Sequence, residues 1–439
     1  RVGQKCRAKA TILSAANAVI QHNSERLGKE LWTDGEEGEG IALYAGFNEV
    51  DEANFIVNRI QAWIDEGRQR AECAILYRSN AQSRSLEDAL LRAAIPYRVY
   101  GGQRFYDRME IRNALAYMRL LLNRDDDAAL ERVINTPPRG IGEKTVQQLR
   151  QHARDQRQPL WQSLIRLQQG SGVTKRAATA LGQFVELIET LDSESRELSL
   201  HELTDHVISA SGLLEFHRNE KGERGMARVE NLEELVSATR AFDPDPAEDA
   251  GALQQFLDSA ALDAGERQAD EYEDAVQLMT LHSAKGLEFP LVFIAGMEEN
   301  LFPHRMSIAE PGRLAEERRL CYVGITRAME KLCLTYAESR RLHGSDNFNA
   351  PSRFIREIPA QLIQQVRLGS GAQPISATPA APVEPAASIA LGQRVQHTIF
   401  GEGTVVQLEG QGQHARIQVN FDDEGSKWLV LQYARLESL

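Results

Sequence analysis

The chain has 439 residues, of which 42% are apolar and 26% charged, and its formal net charge is −13. A chain of this length does not fold around one hydrophobic core, so we expect about two to four domains. No stretch approaches the roughly eighteen consecutive apolar residues of a membrane-spanning helix, so no such helix is predicted. Because the charge balance is acidic, any contact with nucleic acid is expected in a local groove rather than over the whole surface.

The spacing of the cysteines and the first residues of the sequence indicate the cellular compartment. The four cysteines show no paired spacing, which argues against a disulfide scaffold and a zinc site and fits a reducing cytoplasm. The sequence opens with Arg1-Val2-Gly3, without a methionine or an apolar segment. No signal peptide is therefore predicted, and we expect a cut end at this point.

Residues 41–100 alternate between two patterns. Short apolar runs typical of buried strands occur at 41–47, 73–77 and 97–100. Between them, apolar residues recur at helical spacing at 53–64 and 86–93. Alternating strands and helices predict the α/β class, with a parallel sheet covered by helices.

From residue 101 to 272 the pattern is almost entirely helical, and strand patterns return only after it. The returning elements are predicted strands at 276–281, 291–295 and 332–336 and a predicted helix at about 315–329. The economical interpretation is one α/β domain that carries an inserted helical domain. The alternative is two independent α/β domains, but each half alone has few strands for a sheet.

The last part of the chain contains two segments that differ in composition. Residues 366–390 are rich in proline and alanine and predict a flexible, extended linker. Residues 391–439 contain short β-type runs at 394–397, 404–408, 415–421 and 427–431, separated by glycine-containing turns. About fifty residues of this kind predict a small β-barrel.

A polar turn follows the predicted strand at 276–281. Thr280, His282 and Glu288 all lie between positions 277 and 290. Because ligands of parallel α/β sheets bind beyond the carboxyl ends of the strands, we expect the polar residues of this window to lie where a ligand binds. An ordinary strand-to-helix loop remains the alternative.

The segment 316–328 places an arginine among apolar residues. On a helix, Leu320, Val323 and Arg327 share one face, so the guanidinium of Arg327 is expected to project from a packed surface. A planar guanidinium in such a position suits a phosphate. A salt bridge to a neighbouring glutamate is the alternative.

Two further segments resemble phosphate-binding or ATPase motifs in part. Gly140 and Gly142 precede a predicted helix, whose exposed backbone N–H groups suit a DNA phosphate; a simple helix-start turn is the alternative. The pattern is not a nucleotide P-loop. The acidic run at 270–274 follows no apolar strand, so we interpret it as a solvated segment rather than an acidic ATPase motif.

Together these segments resemble one family, the UvrD/PcrA-type superfamily 1A DNA helicases. Residues 276–290 resemble its motif V and 316–328 its motif VI, and 78–84 and 100–106 match further segments. The resemblance runs over the whole chain and covers the carboxyl-terminal part of such a helicase.

The resemblance implies a division into domains. Residues 1–100 and 273–365 would form the two parts of a RecA-like domain 2A, and 101–272 the helical insertion domain 2B. Residues 391–439 would form a Tudor-like β-barrel after the linker 366–390.

It also implies roles for particular residues. Arg327 and, in the motif IV position, Arg7 would reach the γ-phosphate of ATP, and Glu288 and Gly286 would contact the nucleotide. The residues implied in DNA binding are Arg78, Asn80, Thr280, His282, His343, Gly140 and Gly142. Lys5 and Cys6, beside Arg7, depart from the motif IV pattern.

The implied activity is ATP-dependent 3′-to-5′ translocation on single-stranded DNA and unwinding of duplex DNA in repair, in the bacterial cytoplasm at the nucleoid. No Walker A or Walker B motif is found, so ATP and Mg²⁺ would be held mainly by a missing domain 1A, and this chain alone is expected to be inactive. The alternative is a non-catalytic protein that binds DNA or RNA polymerase.

The implied partners are single-stranded and duplex DNA, RNA polymerase through the barrel, and repair proteins. A helicase–nuclease is disfavoured, because too few residues follow position 365.

Overall fold

A computed structural model of the chain describes residues 8–23, 32–33, 37–169, 172–265, 273–310, 312–342 and 345–366 and, near the carboxyl end, 394–397, 401–409, 416–421, 425–430 and 436–438. The chain divides into two compact units, residues 1–367 and 368–439. Within the described residues, no helix is both long and apolar enough to cross a membrane.

The first unit contains fifteen helices and nine strands among its described residues. The helices are α1 (Ala10–Gln21), α2 (Glu49–Asp65), α3 (Ser83–Arg92), α4 (Met109–Leu122), α5 (Asp127–Val133), α6 (Glu143–Gln156), α7 (Leu160–Gln169), α8 (Lys175–Ser195), α9 (Leu200–Ala210), α10 (Leu213–Arg218), α11 (Glu223–Ala241), α12 (Ala252–Gly265), α13 (Arg305–Ala309), α14 (Arg313–Ile325) and α15 (Arg353–Arg356). The strands are β1 (Ile41–Gly46), β2 (Cys73–Tyr77), β3 (Tyr97–Val99), β4 (Val276–Thr280), β5 (Phe289–Ile294), β6 (Ala328–Ala337), β7 (Arg340–Leu342), β8 (Ser345–Asn347) and β9 (Ile363–Gln365).

Seven of these strands form one parallel sheet in the order β3-β4-β2-β5-β6-β1-β9. Strand β2 comes from the first α/β segment, yet it lies between β4 and β5 of the second, with Tyr77 opposite Thr280 and Ile75 opposite Phe293. The two segments therefore share one sheet. This confirms the α/β class, and the alternative of two independent α/β domains is wrong.

Both faces of the sheet are covered by helices. The five residues of β2 are all buried, because alternate side chains enter different cores. Ile75 and Tyr77 pack in a cluster with α2 and α3, whereas Ala74 and Leu76 pack in a cluster with α1 and α14. Such two-sided burial explains why the strands read as continuous apolar runs.

Helices α4 to α12 lie between β3 and β4 in the sequence and share one large apolar cluster. Helix α11 also reaches the sheet part. Glu234 of α11 accepts a hydrogen bond from Nε of Arg84 in α3 at 2.6 Å, and both residues are buried. Asn231 of α11 accepts one from Nη1 of Arg108 at 2.9 Å, and the same nitrogen donates to the carbonyl of Asn80 after β2. The division of the chain into 1–100, 101–272 and 273–365 stays a prediction.

Two expectations need correction, and one strand was not predicted. The helix predicted at about 315–329 ends at Ile325, so Arg327 lies in the turn before β6 rather than on the helix. Asp274 of the acidic run is not simply solvated, because its carboxylate accepts hydrogen bonds from the amides of Ala71 at 2.8 Å and Arg70 at 3.1 Å. The sequence did not predict β9 at the sheet edge.

The described strands of the second unit form an antiparallel five-stranded sheet in the order β13-β12-β11-β10-β14. The strands are β10 (Arg394–His397), β11 (Gly401–Glu409), β12 (Arg416–Phe421), β13 (Gly425–Val430) and β14 (Leu436–Ser438). The first four fall where strands were predicted, and β14 was not predicted. Apart from Val366, the predicted linker lies outside the described residues.

Candidate nucleotide and DNA-binding site

Glu288 and Arg327 precede two neighbouring strands of the sheet. Phe289 of β5 pairs with Ala328 of β6, and the amide of Phe289 donates a hydrogen bond to the carbonyl of Arg327 at 2.9 Å. Nη1 of Arg327 in turn donates to the carbonyl of Leu287 at 2.7 Å. These two contacts place Glu288 and Arg327 side by side at the amino ends of β5 and β6, here called the amino edge.

The guanidinium of Arg327 is held by the last turn of α14. Its Nε donates to the carbonyl of Val323 at 3.1 Å, and Nη2 donates to the hydroxyl of Thr326 at 3.1 Å. Arg327 is half-buried, whereas Glu288 is exposed. A guanidinium that is fixed in position beside an exposed carboxylate can present a positive charge and a hydrogen-bond acceptor to one ligand.

Gly286 shapes the loop that leads to Glu288. Its φ is +89°, a left-handed conformation that side chains disfavour, and no atom lies within 4 Å of where a Cβ would stand. The backbone therefore requires glycine here for conformational reasons, and a nucleotide contact by Gly286 stays a prediction.

Arg78 and His282 follow the neighbouring strands β2 and β4 at the opposite end of the sheet, here called the carboxyl edge. The amide of Leu281 donates to the carbonyl of Tyr77 at 2.9 Å, so the two chains leave the sheet together. His282 is exposed. Desolvation by the surrounding protein and the positive charge of Arg78 both lower the pKa of His282.

The expectation that the polar residues of positions 277–290 lie beyond the carboxyl ends of the strands is wrong for Glu288. Thr280 and His282 lie at the carboxyl edge, but Glu288 lies at the amino edge. Since β4 and β5 are parallel, the intervening loop has to return along the strand direction. Five residues of strand separate the edges by about 17 Å. The window therefore contributes residues to both edges of the sheet.

Thr280 and Asn80 have local contacts at the carboxyl edge. The hydroxyl of Thr280 lies 3.0 Å from that of Ser283 and accepts a hydrogen bond from the Ser283 amide at 3.3 Å, which closes the turn after β4. The carbonyl of Asn80 accepts from Nη1 of Arg108 at 2.9 Å. Their DNA-binding roles stay predictions.

Arg78 forms an ion pair that the sequence did not reveal. Its Nε and Nη2 donate to the carboxylate of Glu317 in α14 at 3.0 and 2.8 Å. Burial opposes the charged carboxylate, but the hydrogen bonds and charge of Arg78 outweigh it and hold the pKa of Glu317 below its usual value. Glu317 is one of two adjacent glutamates in the sequence, and no spacing rule distinguishes it from Glu316.

Gly140 and Gly142 lie in the helical part of the chain, not at either edge of the sheet. Gly142 is the residue immediately before α6, and Gly140 has a φ of +79°. No atom lies within 4 Å of a Cβ built on either glycine. The backbone at the start of α6 is therefore open to a ligand.

Two predicted site residues, Arg7 and His343, lie outside the described residues. Among the described residues, no group of three or more histidine, cysteine or acidic side chains is placed to hold a metal ion.

Comparison with known proteins gives two family matches. Residues 4–339 match the model of the UvrD-like helicase C-terminal domain, and residues 391–437 match the PcrA/UvrD tudor domain.

Whole-chain relatives agree with these matches. DNA helicase II from Escherichia coli (strain K12) is 58% identical over 100% of this chain and 62% of its own length. DNA helicase II from Haemophilus influenzae is 50% identical over 100% of this chain and 61% of its own length, and the ATP-dependent DNA helicase PcrA from Bacillus subtilis (strain 168) is 39% identical over 99% and 61%. The chain thus spans about three fifths of the length of the curated relatives that it matches.

Proposed function

Because the chain belongs to the UvrD-like helicase C-terminal domain family, we propose that it forms the carboxyl-terminal part of an ATP-dependent DNA helicase. This helicase moves 3′ to 5′ along single-stranded DNA and unwinds duplex DNA during repair. The observation that carries the proposal is the pairing of Arg327 with the loop of Glu288 at one edge of the sheet, while Arg78 and His282 lie at the other.

The amino edge would contact ATP. Arg327 presents a fixed guanidinium that stabilises the negative charge spread over the transferred phosphoryl oxygens. The exposed carboxylate of Glu288 accepts a hydrogen bond from a ribose hydroxyl. Mg²⁺ is assigned to the part of the relatives' length that this chain does not span, since Mg²⁺ prefers carboxylates together with phosphate oxygens.

The carboxyl edge would contact single-stranded DNA. Arg78 offers a phosphate the side of its guanidinium that does not face Glu317, and His282 offers an exposed ring that can donate a hydrogen bond or stack on a base. Asn80 and Thr280 line the same edge. Gly140 and Gly142 would receive a phosphate of the duplex at the start of α6.

The five-stranded unit would bind a protein partner. It matches the PcrA/UvrD tudor domain, and we assign RNA polymerase as its partner, with repair proteins as further partners of the whole helicase. Association with the bacterial nucleoid follows from DNA binding and is part of this proposal.

The test is an ATPase assay on two proteins. One is this chain alone, and the other is this chain joined to the amino-terminal portion of the Escherichia coli relative, called the joined protein below. We expect no hydrolysis by the chain alone and hydrolysis stimulated by single-stranded DNA in the joined protein. A joined protein that folds and binds DNA but does not hydrolyse ATP would favour the non-catalytic alternative.

A further inference from the structure

Glu317 connects three separate segments of the chain. Its carboxylate accepts hydrogen bonds from Arg78 after β2, from the amide of His304 before α13 at 3.1 Å, and from the hydroxyl of Ser307 within α13 at 3.1 Å. The residue is 5% exposed. A buried carboxylate that collects this many donors holds those groups in one fixed arrangement.

The neighbouring Glu316 shows that this arrangement belongs to one position. Its side chain is 70% exposed and pairs at 2.8 Å with Arg319, one turn along the same helix. An exposed pair of this kind contributes little to stability or position. Glu316 and Glu317 are therefore chemically identical neighbours, but only Glu317 is buried and contacts other segments of the chain.

Helix α14 leads from the carboxyl edge to the amino edge. Glu317 lies in its first half and holds Arg78, while Val323 and Thr326 at its end hold the guanidinium of Arg327. A helix transmits small displacements along its axis because its backbone hydrogen bonds keep it rigid. The two edges are thus joined by one rigid element, fixed at both ends by arginine hydrogen bonds.

The same region also reaches α11 of the helical part. Glu230 accepts a hydrogen bond from the hydroxyl of Ser79, the residue after Arg78, and lies 3.1 Å from Nε2 of His304. Burial opposes the charge of Glu230, but the hydrogen bonds from His304 and Ser79 lower its pKa. The backbone that carries Arg78 is therefore held on two sides.

We propose that Glu317 is a positioning residue that couples the binding of single-stranded DNA at Arg78 to the position of α14 and hence of Arg327. DNA binds best when Arg78 is held in its paired position, and that position requires α14 in place. Binding therefore stabilises α14, because a ligand stabilises the state that it binds. This inference rests on the DNA-binding role given to Arg78 under the proposed function.

The test is amide hydrogen exchange of α14 in this chain, with and without an oligothymidylate. In the unsubstituted chain, exchange at positions 317–325 should slow by about fivefold or more when the oligonucleotide binds. In Glu317→Gln the oligonucleotide should still bind, but the slowing should be lost. Glu316→Gln is the matched control, and it should keep the full response.

Arg78→Lys provides an independent variant in case Glu317→Gln fails to fold. Lysine keeps the charge but cannot make the two-pronged contact with the carboxylate, so it should also lose the response. The coupling is overturned if the unsubstituted chain binds the oligonucleotide without any change in α14, or if Glu317→Gln keeps the full change. If the unsubstituted chain binds no oligonucleotide, the DNA-binding role itself fails, and the inference fails with it.

Discussion

Arg327 hydrogen-bonds through Nη1 to the carbonyl of Leu287 at 2.7 Å, and this contact joins the end of α14 to the loop that carries Glu288. In the opposite direction, the amide of Phe289 donates a hydrogen bond to the carbonyl of Arg327 at 2.9 Å. The position of the guanidinium is thus set by the loop before β5 as well as by the last turn of α14. These two contacts fix Arg327 to the loop on both sides of Glu288.

The first prediction concerns Arg327→Ala in the joined protein. The substitution removes the positive charge that stabilises the negatively charged oxygens of the transferred phosphoryl group. ATP turnover should therefore fall by about a thousandfold or more. Binding to single-stranded DNA should persist, because the carboxyl edge is about 17 Å away. Steady-state hydrolysis and oligonucleotide binding, measured on the same preparation, check both parts.

Arg319→Ala is the control for that substitution. Arg319 lies on the same helix, is exposed, and pairs only locally with Glu316. Its replacement should leave turnover within about twofold of the unsubstituted protein, since exposed pairs contribute little. Near-normal turnover in Arg327→Ala would refute the phosphate-binding role.

The second prediction concerns the pH dependence of DNA binding at His282. Its pKa is lowered in the free chain, so the ring is neutral at neutral pH. A nearby phosphate would raise that pKa, and binding would then take up a proton. Affinity for an oligonucleotide should therefore increase as pH falls below about 6.5. His282→Gln should remove most of that increase; an identical pH profile in the variant would show that His282 does not face DNA.

The sequence was sufficient to predict most of the sheet. Strand β2 is buried throughout, and β5 is buried from Leu291 onward, so their continuous apolar runs were visible without any structure. The interruption of this pattern by helical periodicity also predicted that the two segments share a sheet. Strand β9 was missed because its residues are half-buried or exposed at the sheet edge and carry no apolar run.

The site was only partly predictable. Arg327 was expected on a helix because it follows Leu320 and Val323 at helical spacing. Periodicity alone does not show that the helix ends at Ile325. The separation of Glu288 from His282 depends on strand direction, and the role of Glu317 depends on a contact with Arg78 across 239 positions of the chain. Such long-range contacts leave no local signal in a single sequence.

The third prediction concerns a buried charge cluster beside β6. Arg340 is 4% exposed and forms ion pairs with Glu298, at 2.7 Å, and Glu52, which are 0% and 3% exposed. Replacement of Arg340 by methionine leaves two buried carboxylates without their cation. The free energy of unfolding should fall by about 3–5 kcal/mol in urea denaturation.

Arg319→Met serves as its control and should change that free energy by less than about 1 kcal/mol, because the pair with Glu316 is exposed. Equal effects of the two substitutions would show that the buried cluster adds no more stability than a surface pair.

The fourth prediction tests duplex binding at Gly142. Its φ of −79° is accessible to any residue, and no atom lies within 4 Å of a Cβ there, so Gly142→Leu should fold normally. If a phosphate approaches the backbone, the leucine side chain should obstruct it. Affinity for duplex DNA should then fall about tenfold, equivalent to about 1.4 kcal/mol, with a smaller effect on single-stranded DNA.

Gly251 offers a matched control for this substitution. It also precedes a helix of the helical part, α12, and also has open space where a Cβ would stand. Leucine at either position should reduce the stability of the following helix start by a similar amount. Gly251→Leu therefore measures the effect of that loss of stability on DNA binding. A duplex-specific defect in Gly142→Leu alone would support the contact. Equal losses for duplex and single-stranded DNA, or equal losses in both variants, would contradict it.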